Sequence, residues 1–290
     1  MAVVSPPPRS RCRDLRRLLE PVRALGPAVA PGNLEKVHQP QLAESTQLGQ
    51  RAGVELNVVG QFCHDGREHQ IPRIWISGSY AGHDPIRLGI FAGIHGDEPA
   101  GCAALVDLAM ALAADPTRAA GYELSLYPVV NPIGYERGTR TNHTGVDLNR
   151  EFWRDSIETE VNVMERELRT QQFHGIITLH ADDTSEGVYG YAHGRTLNEA
   201  LLKPALVAAS RWLPLDQRAV IDGFPASESL ICDCYRGVLS APPEQSPQPF
   251  DLIFETPGNA PFDLQVAATV AALESIISTY PGFIAYAQDL

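Results

Sequence analysis

The stretch Phe91-Ala-Gly-Ile-His-Gly-Asp-Glu-Pro-Ala-Gly101 decides the fold around it. An apolar run over Ile86–Ala92 leads into the glycines, and a helical pattern over Ala103–Ala114 leads out of them. This order predicts a strand, a tight turn and a helix. His95 and Glu98 lie at the junction, and open α/β sheets place their sites at the carboxyl ends of strands. The pair therefore suggests a cation site, with Zn²⁺ as the first candidate. A glycine turn with a surface histidine and an acid at the helix start would explain the same residues.

The composition restricts the class of protein. The chain has 290 residues, a net charge of −12 and an apolar content of 44%. These values argue against a nucleic-acid partner, which requires basic patches, and suit one large α/β domain or two small ones. We find neither a secretory signal nor a stretch approaching the ~20 apolar residues of a membrane span. The odd number of cysteines, without zinc-finger spacing, favours a reduced, cytoplasmic protein; they are Cys12, Cys63, Cys102, Cys232 and Cys234.

Residues 1–50 differ from the rest of the chain because they are rich in Pro, Arg and Gln. We expect them to form an appendage that wraps the domain or is partly disordered. A short helix is predicted within Arg11–Leu25, with its leucines and Val22 on one face. Residues 51–290 are predicted to form a single domain.

Strand patterns alternate with helical patterns from Val54 onward. The predicted strands are Val54–Phe62, Ile71–Ser77, Ile86–Ala92, Tyr122–Val130, Gly175–Leu179 in the centre, Val188–Ala192 at an edge, and Phe250–Phe254. The predicted helices are Ala103–Ala114, Ile157–Gln172, Leu197–Trp212 and Phe262–Tyr280. Residues 213–249 are predicted to be irregular loops over a site. The alternation predicts an α/β three-layer sandwich in which helices flank a mixed, mostly parallel sheet.

Ionisable side chains follow three of the predicted strands. His95 and Glu98 follow one, His180 ends another, and Glu255 ends a third. Two histidines and one glutamate form a catalytic zinc set that leaves a fourth position for water, and a further carboxylate can act as general base. The alternatives are a buried, hydrogen-bonded histidine for His180 and a strand-end or helix-capping acid for Glu255.

A polar loop precedes the second half of the chain. It contains Arg137, Arg140, Asp147, Asn149 and Arg150. Arginine binds carboxylates in a bidentate manner and can stabilise an oxyanion. We disfavour a purely solvated loop, because glycine and apolar residues that tend to be anchored flank the Asp-Leu-Asn-Arg segment on both sides.

These motifs, taken in order, resemble the zinc carboxypeptidase superfamily. They are His95-Gly-Asp-Glu98, Asn131-Pro, Gly145-Val-Asp-Leu-Asn-Arg150, Leu179-His180 and Glu255. The superfamily includes the carboxypeptidase A group, bacterial murein-peptide amidases and the succinylglutamate desuccinylase/aspartoacylase group. The resemblance covers about residues 86–260 and implies a mixed α/β sheet with one zinc ion at its strand ends.

The resemblance also implies a role for each motif residue. His95, Glu98 and His180 would bind the zinc, Glu255 would be the general base, Asp147 would support His95, and Asn149 and Arg150 would bind the substrate's terminal carboxylate. Arg140 is preferred to Arg137 for polarising the scissile carbonyl, because its separation from Asn131-Pro suits the aspartoacylase-like pattern. Tyr235 would cover the site, unless it is an ordinary loop tyrosine.

Two features of the sequence point to different branches of the superfamily. The His-Gly-Asp-Glu-Pro-Ala-Gly wording resembles desuccinylases and aspartoacylases, which carry a β-rich domain after the catalytic glutamate. Only 35 residues follow Glu255 here, and they resemble one helix, as in carboxypeptidases. We therefore expect first a carboxypeptidase acting on a small peptide, second an N-acyl amino acid deacylase, and third a binding protein that retains the fold.

Two further pairs of residues bear on the substrate. Asp182 and Asp183 follow His180 directly and would favour a basic or amino-bearing substrate group, or they are surface acids. Tyr189 and Tyr191 would line the pocket, or they belong to an ordinary edge strand.

Overall fold

A computed structural model describes residues 14–24, 53–79 and 84–288. Within these ranges the strands are β1 (Gly53–His64), β2 (Arg67–Ser77), β3 (Ile86–Phe91), β4 (Tyr122–Tyr127), β5 (Gly175–Asp182), β6 (Tyr189–Ala192), β7 (Val220–Ile221), β8 (Phe224–Ser227), β9 (Leu230–Ile231) and β10 (Phe250–Pro257). All ten lie in one sheet, in the order β1-β2-β4-β3-β5-β10-β6-β9-β8-β7.

Helices cover both faces of this sheet. They are α1 (Leu15–Arg23), α2 (Pro99–Ala114), α3 (Pro132–Arg137), α4 (Thr159–Gln171), α5 (Arg195–Leu197), α6 (Lys203–Ala209) and α7 (Phe262–Gln288). A π-helical turn, Asn198–Leu202, joins α5 to α6, and 3₁₀ turns cover Pro116–Ala119 and Leu148–Arg150. Side chains of β3 show the layering, since Leu88 and Ile90 belong to the core that includes α2 and α7, whereas Phe91 packs with Met164 of α4. The predicted three-layer α/β sandwich is confirmed.

Parallel pairing is confined to fewer strands than expected. Strands β4, β3, β5 and β10 form a parallel centre, and β6 pairs with β9 in the same sense. The other five of the nine pairings are antiparallel. The sheet is therefore mixed but not mostly parallel. Hairpins at both edges account for three of these five pairings, because short connections join only antiparallel strands. One example is the β1–β2 turn, where Asp65 and Gly66 both have positive φ.

The prediction that Val188–Ala192 forms an edge strand is wrong. Strand β6 pairs with β10 on one side and with β9 on the other. The partners on its outer side come from residues 213–249, which the sequence presented as irregular. That segment contains β7, β8 and β9, and two of these strands have only two residues. Strands so short leave no hydrophobic alternation in the sequence.

Helix α1 confirms the amphipathic helix predicted near the N-terminus. Its Leu19 and Val22 are buried in the core that contains Leu105 and Leu108 of α2. Asp14 caps the helix by accepting a hydrogen bond from the backbone N–H of Arg16 at 2.9 Å. The rest of the predicted appendage, and its boundary at residue 50, lie outside the described residues.

Helix α7 corrects the expectation that no stretch approaches a membrane span. The segment Phe262–Ile284 is long and apolar enough to cross a bilayer by length and composition alone. It packs in the core with α2 and α6, where Ala268, Ala272 and Ile276 are buried. One face of the helix thus forms part of the domain core.

The parallel centre positions the candidate functional residues. The carboxyl ends of β3, β5 and β10 lie at one edge of the sheet, because the three strands run in the same direction. His180 and Glu255 are paired in register on β5 and β10. The loop from β3 to α2 carries His95 and Glu98 to the same edge.

Candidate metal centre and substrate cavity

His95, Glu98 and His180 form a compact buried group. One ligand atom from each residue lies within 4.8 Å of the others. Nδ1 of His95 lies 2.7 Å from Oε1 of Glu98, and Nδ1 of His180 lies 3.0 Å from Oε2 of the same carboxylate. Both histidines therefore direct the same type of nitrogen at one carboxylate, which is a suitable arrangement for a single cation.

Glycines allow the chain to turn sharply at this point. Gly93 has a φ of +62°, which disfavours residues with a Cβ. A Cβ on Gly96 would overlap the backbone of Gly134, and the Gly96 N–H donates to the Thr139 carbonyl at 2.9 Å. Glu98 then occupies the N-cap of α2, with Pro99 in the first turn. The close approach of two backbone segments thus fixes the position of the triad.

Groups outside the triad orient its ligands. Oδ1 of Asp147 lies 3.0 Å from Nε2 of His95, and Nδ2 of Asn149 lies 3.4 Å from Nε2 of His180. The Ala181 N–H donates to Oε2 of Glu98 at 3.1 Å. Such contacts leave the two Nδ1 atoms and the carboxylate facing one another. The donor set, with two imidazoles and one carboxylate, fits a catalytic zinc ion.

The loop that carries Asp147 and Asn149 is anchored, as its flanking residues indicated. Leu148 is fully buried between them. Oδ1 of Asp147 accepts from the Asn149 N–H at 3.0 Å, and Oδ1 of Asn149 accepts from the Leu239 N–H at 2.9 Å. The side chain of Asn149 is thus largely occupied within the protein.

Charges at the triad compensate one another. Burial disfavours the charged form of His95, but the carboxylates of Glu98 and Asp147 outweigh it and raise its pKa to about 9. Burial lowers the pKa of His180. Burial alone would raise the pKa values of Glu98 and Asp147, yet His95 and His180 hold the pKa of Glu98 well below its usual range, and His95 and Arg140 do the same for Asp147. Binding of a cation would displace the proton of His95.

A cavity of about 520 Å³ opens beside the triad. Of the other predicted site residues, Arg140, Asn149, Arg150, Tyr235 and Glu255 line it. Arg140 donates to Oδ2 of Asp147 at 3.1 Å and to Oε1 of Glu98 at 3.4 Å.

Arg137, the alternative to Arg140, lies elsewhere. It contacts His64 and Asp65 at the β1–β2 turn and does not line the cavity. The geometry therefore favours Arg140 for a role near the triad.

Glu255 and Tyr235 differ in their surroundings. Burial, together with the carboxylates of Glu98, Asp182 and Asp222, raises the pKa of Glu255 well above its usual range. Tyr235 is more exposed, and its ring lies under the Arg150 guanidinium at 4.1 Å. Its hydroxyl donates to the Asp222 carbonyl at 3.1 Å. Tyr235 is thus joined to the cavity wall by two contacts.

The cavity also contains residues that the sequence left open or did not reveal. Asp182, Asp183 and Tyr189 line it, whereas Tyr191 does not. Asp222 lines it as well and was not among the predicted site residues. The only local signal for Asp222 is Asp222-Gly223, a turn-forming pair between two strands too short to recognise.

The comparisons with known proteins agree with this geometry. Residues 85–210 match the model of the succinylglutamate desuccinylase/aspartoacylase catalytic domain. A candidate metallopeptidase from Shewanella denitrificans is 25% identical, with 78% of this chain and 83% of that chain covered and a TM-score of 0.62. Over residues 85–210 the chain is therefore similar to the desuccinylase/aspartoacylase group, and its fold is similar to that of metallo-carboxypeptidases.

Two more distant structures share the fold. A metallo-carboxypeptidase from Burkholderia cenocepacia is 16% identical, with 93% of this chain and 70% of that chain covered and a TM-score of 0.65. The ectoine utilization protein EutE from Ruegeria pomeroyi, in a product-bound structure, is 18% identical, with 81% and 70% covered and a TM-score of 0.55. No curated protein matches the chain by sequence. The segment that matches the superfamily domain contains the triad but ends before Tyr235 and Glu255.

Proposed function

We propose that the protein is a zinc-dependent amide hydrolase that removes a C-terminal amino acid from a small peptide. The observation that carries the proposal is the position of Glu255. This carboxylate shares one cavity with the triad and is paired in register with His180. A carboxylate so placed can exchange protons with reacting atoms beside a cation.

One zinc ion per chain would be held by His95, Glu98 and His180. Zinc in such a set supplies Lewis-acid polarisation and makes water a stronger nucleophile at neutral pH. Asp147 keeps Nε2 of His95 engaged, so that its Nδ1 faces Glu98. Asn149 does the same for His180, because its amide nitrogen lies against Nε2 of that ring. Asn149 therefore orients a ligand in addition to any contact with substrate.

The protein's own groups would divide the remaining work. Glu255 takes a proton from the attacking water and delivers it to the leaving amine. Arg140 polarises the scissile carbonyl, since its guanidinium lies beside Glu98 at the cavity surface. Arg150 binds the terminal carboxylate, and Tyr235 covers the bound substrate.

The size of the cavity is compatible with a small peptide as the substrate. Its volume of about 520 Å³ lies within the roughly 300–1,000 Å³ that is typical of pockets for drug-sized ligands. N-acyl amino acid hydrolysis is the second candidate, favoured by the match of residues 85–210 to the desuccinylase/aspartoacylase domain. Both reactions use the same proton-transfer group and the same carboxylate-binding arginine.

Hydrolysis by the zinc-loaded protein tests the proposal. The substrates are C-terminal dipeptides, γ-D-glutamyl-diaminopimelate peptides and N-succinyl and N-acetyl amino acids. We expect release of C-terminal amino acids from peptides, and a fall in kcat of about 10²–10⁴-fold in Glu255→Gln with zinc content unchanged. Glu244→Gln is the matched control, because Glu244 is exposed and pairs with Arg169 far from the cavity.

Three results would contradict parts of this proposal. Activity on N-acyl amino acids alone would assign the second reaction. Undiminished hydrolysis by Glu255→Gln would remove Glu255 from the chemistry. A purified protein that binds no stoichiometric zinc would overturn the metal assignment.

A further inference from the structure

The carboxylates that line the cavity differ in how they are neutralised. Glu98 contacts two histidines and Arg140. Asp182 and Asp222 form no ion pair of 4.0 Å or less with any Lys, Arg or His in the part of the chain that the structure describes. Both are partly buried. Partly buried carboxylates without a cationic partner are costly, so the two acids require an explanation.

Asp182 is held in a fixed orientation at the end of β5. Its Oδ1 accepts from the N–H and the hydroxyl of Thr184, both at 2.7 Å. Its Oδ2 accepts from the buried Tyr189 hydroxyl at 3.0 Å. Tyr189 in turn is paired in register with Glu255. The carboxylate therefore occupies a defined position beside the proposed proton-transfer group.

Asp222 reaches the cavity from a different element. It lies in the turn between β7 and β8, where its own φ is +48° and that of Gly223 is +80°. Its Oδ1 lies 3.3 Å from the Tyr235 hydroxyl, which donates to it. Asp182 and Asp222 line the same cavity, and burial together with the negative charge of Asp182 raises the pKa of Asp222.

Neither Arg140 nor Arg150 forms an ion pair with Asp182 or Asp222. Arg140 is engaged by Asp147 and Glu98. Arg150 donates to the Asn149 carbonyl at 2.8 Å and lies over the Tyr235 ring. A ligand cation would relieve the repulsion between the two acids without displacing either arginine.

We propose that Asp182 and Asp222 bind an ammonium group of the substrate. The preferred substrate then carries a carboxylate for Arg150 and, separately, a free amino group for this pair of acids. The inference deepens the proposed function and rests on it for the reaction, although ammonium binding can be measured without turnover. An ammonium-lacking analogue is disfavoured, because it leaves both carboxylates unpaired in a cavity from which it has excluded water.

Paired substrates that differ only in the amino group test this inference. One pair is dipeptides ending in lysine or norleucine, and the other is a dipeptide with a free or an acetylated α-amine. In at least one pair we expect kcat/KM to be about tenfold or more higher for the ammonium-bearing member, mainly through KM. A preference in the first pair would identify a side-chain amino group as the one that is bound, and a preference in the second pair would identify the α-amino group.

Asp222→Asn is the diagnostic variant, and Glu228→Gln is its matched control. We expect Asp222→Asn to reduce the preference by about tenfold, with a larger loss for the ammonium substrate than for its neutral partner. Glu228 lies in the adjacent β8–β9 turn, pairs with Lys203 and does not line the cavity, so its substitution removes the same charge but keeps the preference. Asp182→Asn serves as the second variant if Asp222→Asn does not fold.

Calorimetric binding of the same probes to zinc-loaded Glu255→Gln separates this inference from the proposed reaction. Tighter binding of ammonium-bearing probes, lost in the Asp222 variant, would support the inference even if no probe is hydrolysed and the proposed function fails. Equal affinity within both pairs would overturn it. The inference would also be overturned if Asp222→Asn lowered the affinity for ammonium-bearing and neutral probes by the same factor.

Discussion

The triad and the wall formed by Asp182 and Asp222 are two acidic regions of one cavity, and their charges behave in opposite ways. At the triad, histidines and Arg140 lower the pKa values of Glu98 and Asp147. At the wall, burial raises the pKa of Asp222, with a further contribution from Asp182. Glu98 and Asp147 have cationic partners in the protein, whereas Asp182 and Asp222 form no ion pair within the described residues.

The difference follows from the elements that build each region. The triad lies at the ends of two central parallel strands and in a turn that packs against the backbone of Gly134. The wall is built from the last residue of β5 and a turn between two short strands. The carboxyl ends of central strands can surround a charge with partners, while the peripheral turn that carries Asp222 leaves its carboxylate facing solvent or ligand. The triad is therefore set before substrate arrives, whereas the proposed ammonium group of the substrate would complete the wall.

The largest effect is expected at the triad itself. Glu98→Gln removes the carboxylate that both histidines face, so the protein should retain less than a tenth of its stoichiometric zinc. The loss of zinc affinity should exceed the roughly 10–100-fold that removal of an outer contact costs. Elemental analysis after gel filtration measures this, with exposed Glu199→Gln as control. Full zinc content in Glu98→Gln would contradict the view that the triad is the metal site.

A smaller loss of zinc affinity is expected when the contact between Asp147 and His95 is removed. Asp147→Asn keeps the shape of the side chain but loses the charge that holds Nε2 of His95. Zinc affinity should fall about 10–100-fold, as chelator competition would measure. Asp155→Asn removes an exposed acid from the same loop and should leave affinity unchanged. An equal effect of both variants would mean that loop charge in general, and not the contact with His95, sets the affinity.

Glycine substitutions compare the rigidity of the two regions. Gly96→Ala forces a Cβ into the Gly134 backbone and should lower the free energy of unfolding by about 3 kcal/mol. Gly223→Ala at the wall meets only the Tyr235 hydroxyl at 4.0 Å, so it should cost only the ~1–2 kcal/mol of its positive φ. Urea denaturation measures both, and Gly282→Ala, in open space on α7, is the control. A smaller loss for Gly96→Ala than for Gly223→Ala would contradict the rigid-turn interpretation.

The smallest effect concerns the pH dependence of stability in the metal-free protein. The lowered pKa of Asp147 means that its charge stabilises the fold at neutral pH and that this contribution is lost as the pH falls through its folded value. Asp147→Asn should therefore cost on the order of 1 kcal/mol at pH 7 and less near pH 3.

Asp222 should show the opposite sign. Because its pKa is raised, its charge destabilises the fold above the folded value, and this penalty disappears as the pH falls towards that of the unfolded chain. Asp222→Asn should stabilise the protein by on the order of 1 kcal/mol or less at pH 7, with the gain vanishing near pH 4. Thermal melts of both variants across this range check the signs. Parallel profiles would show that the two regions are electrostatically alike.

Several features of the fold could be predicted because they depend on local sequence. The apolar runs of β3, β5 and β10 and the helical pattern of α2 identified the elements near the triad. The interior position of β6 and two of the five antiparallel pairings could not be predicted, because they depend on β7, β8 and β9. Strands of two to four residues have too few side chains to produce a period.

The sequence by itself determined the residues of the triad, since His95, Glu98 and His180 follow recognisable strands whose carboxyl ends meet at one sheet edge. It also placed Asp147 and Arg150 in a loop with anchoring residues on both sides. Only the tertiary structure placed Arg140 beside Glu98 and Arg137 at the β1–β2 turn, and only it brought Asp222 to the cavity that Asp182 lines. The physical reason is that the presence of a strand depends on the local hydrophobic pattern, whereas contact between segments 40 residues apart in the chain depends on the order of strands across the sheet.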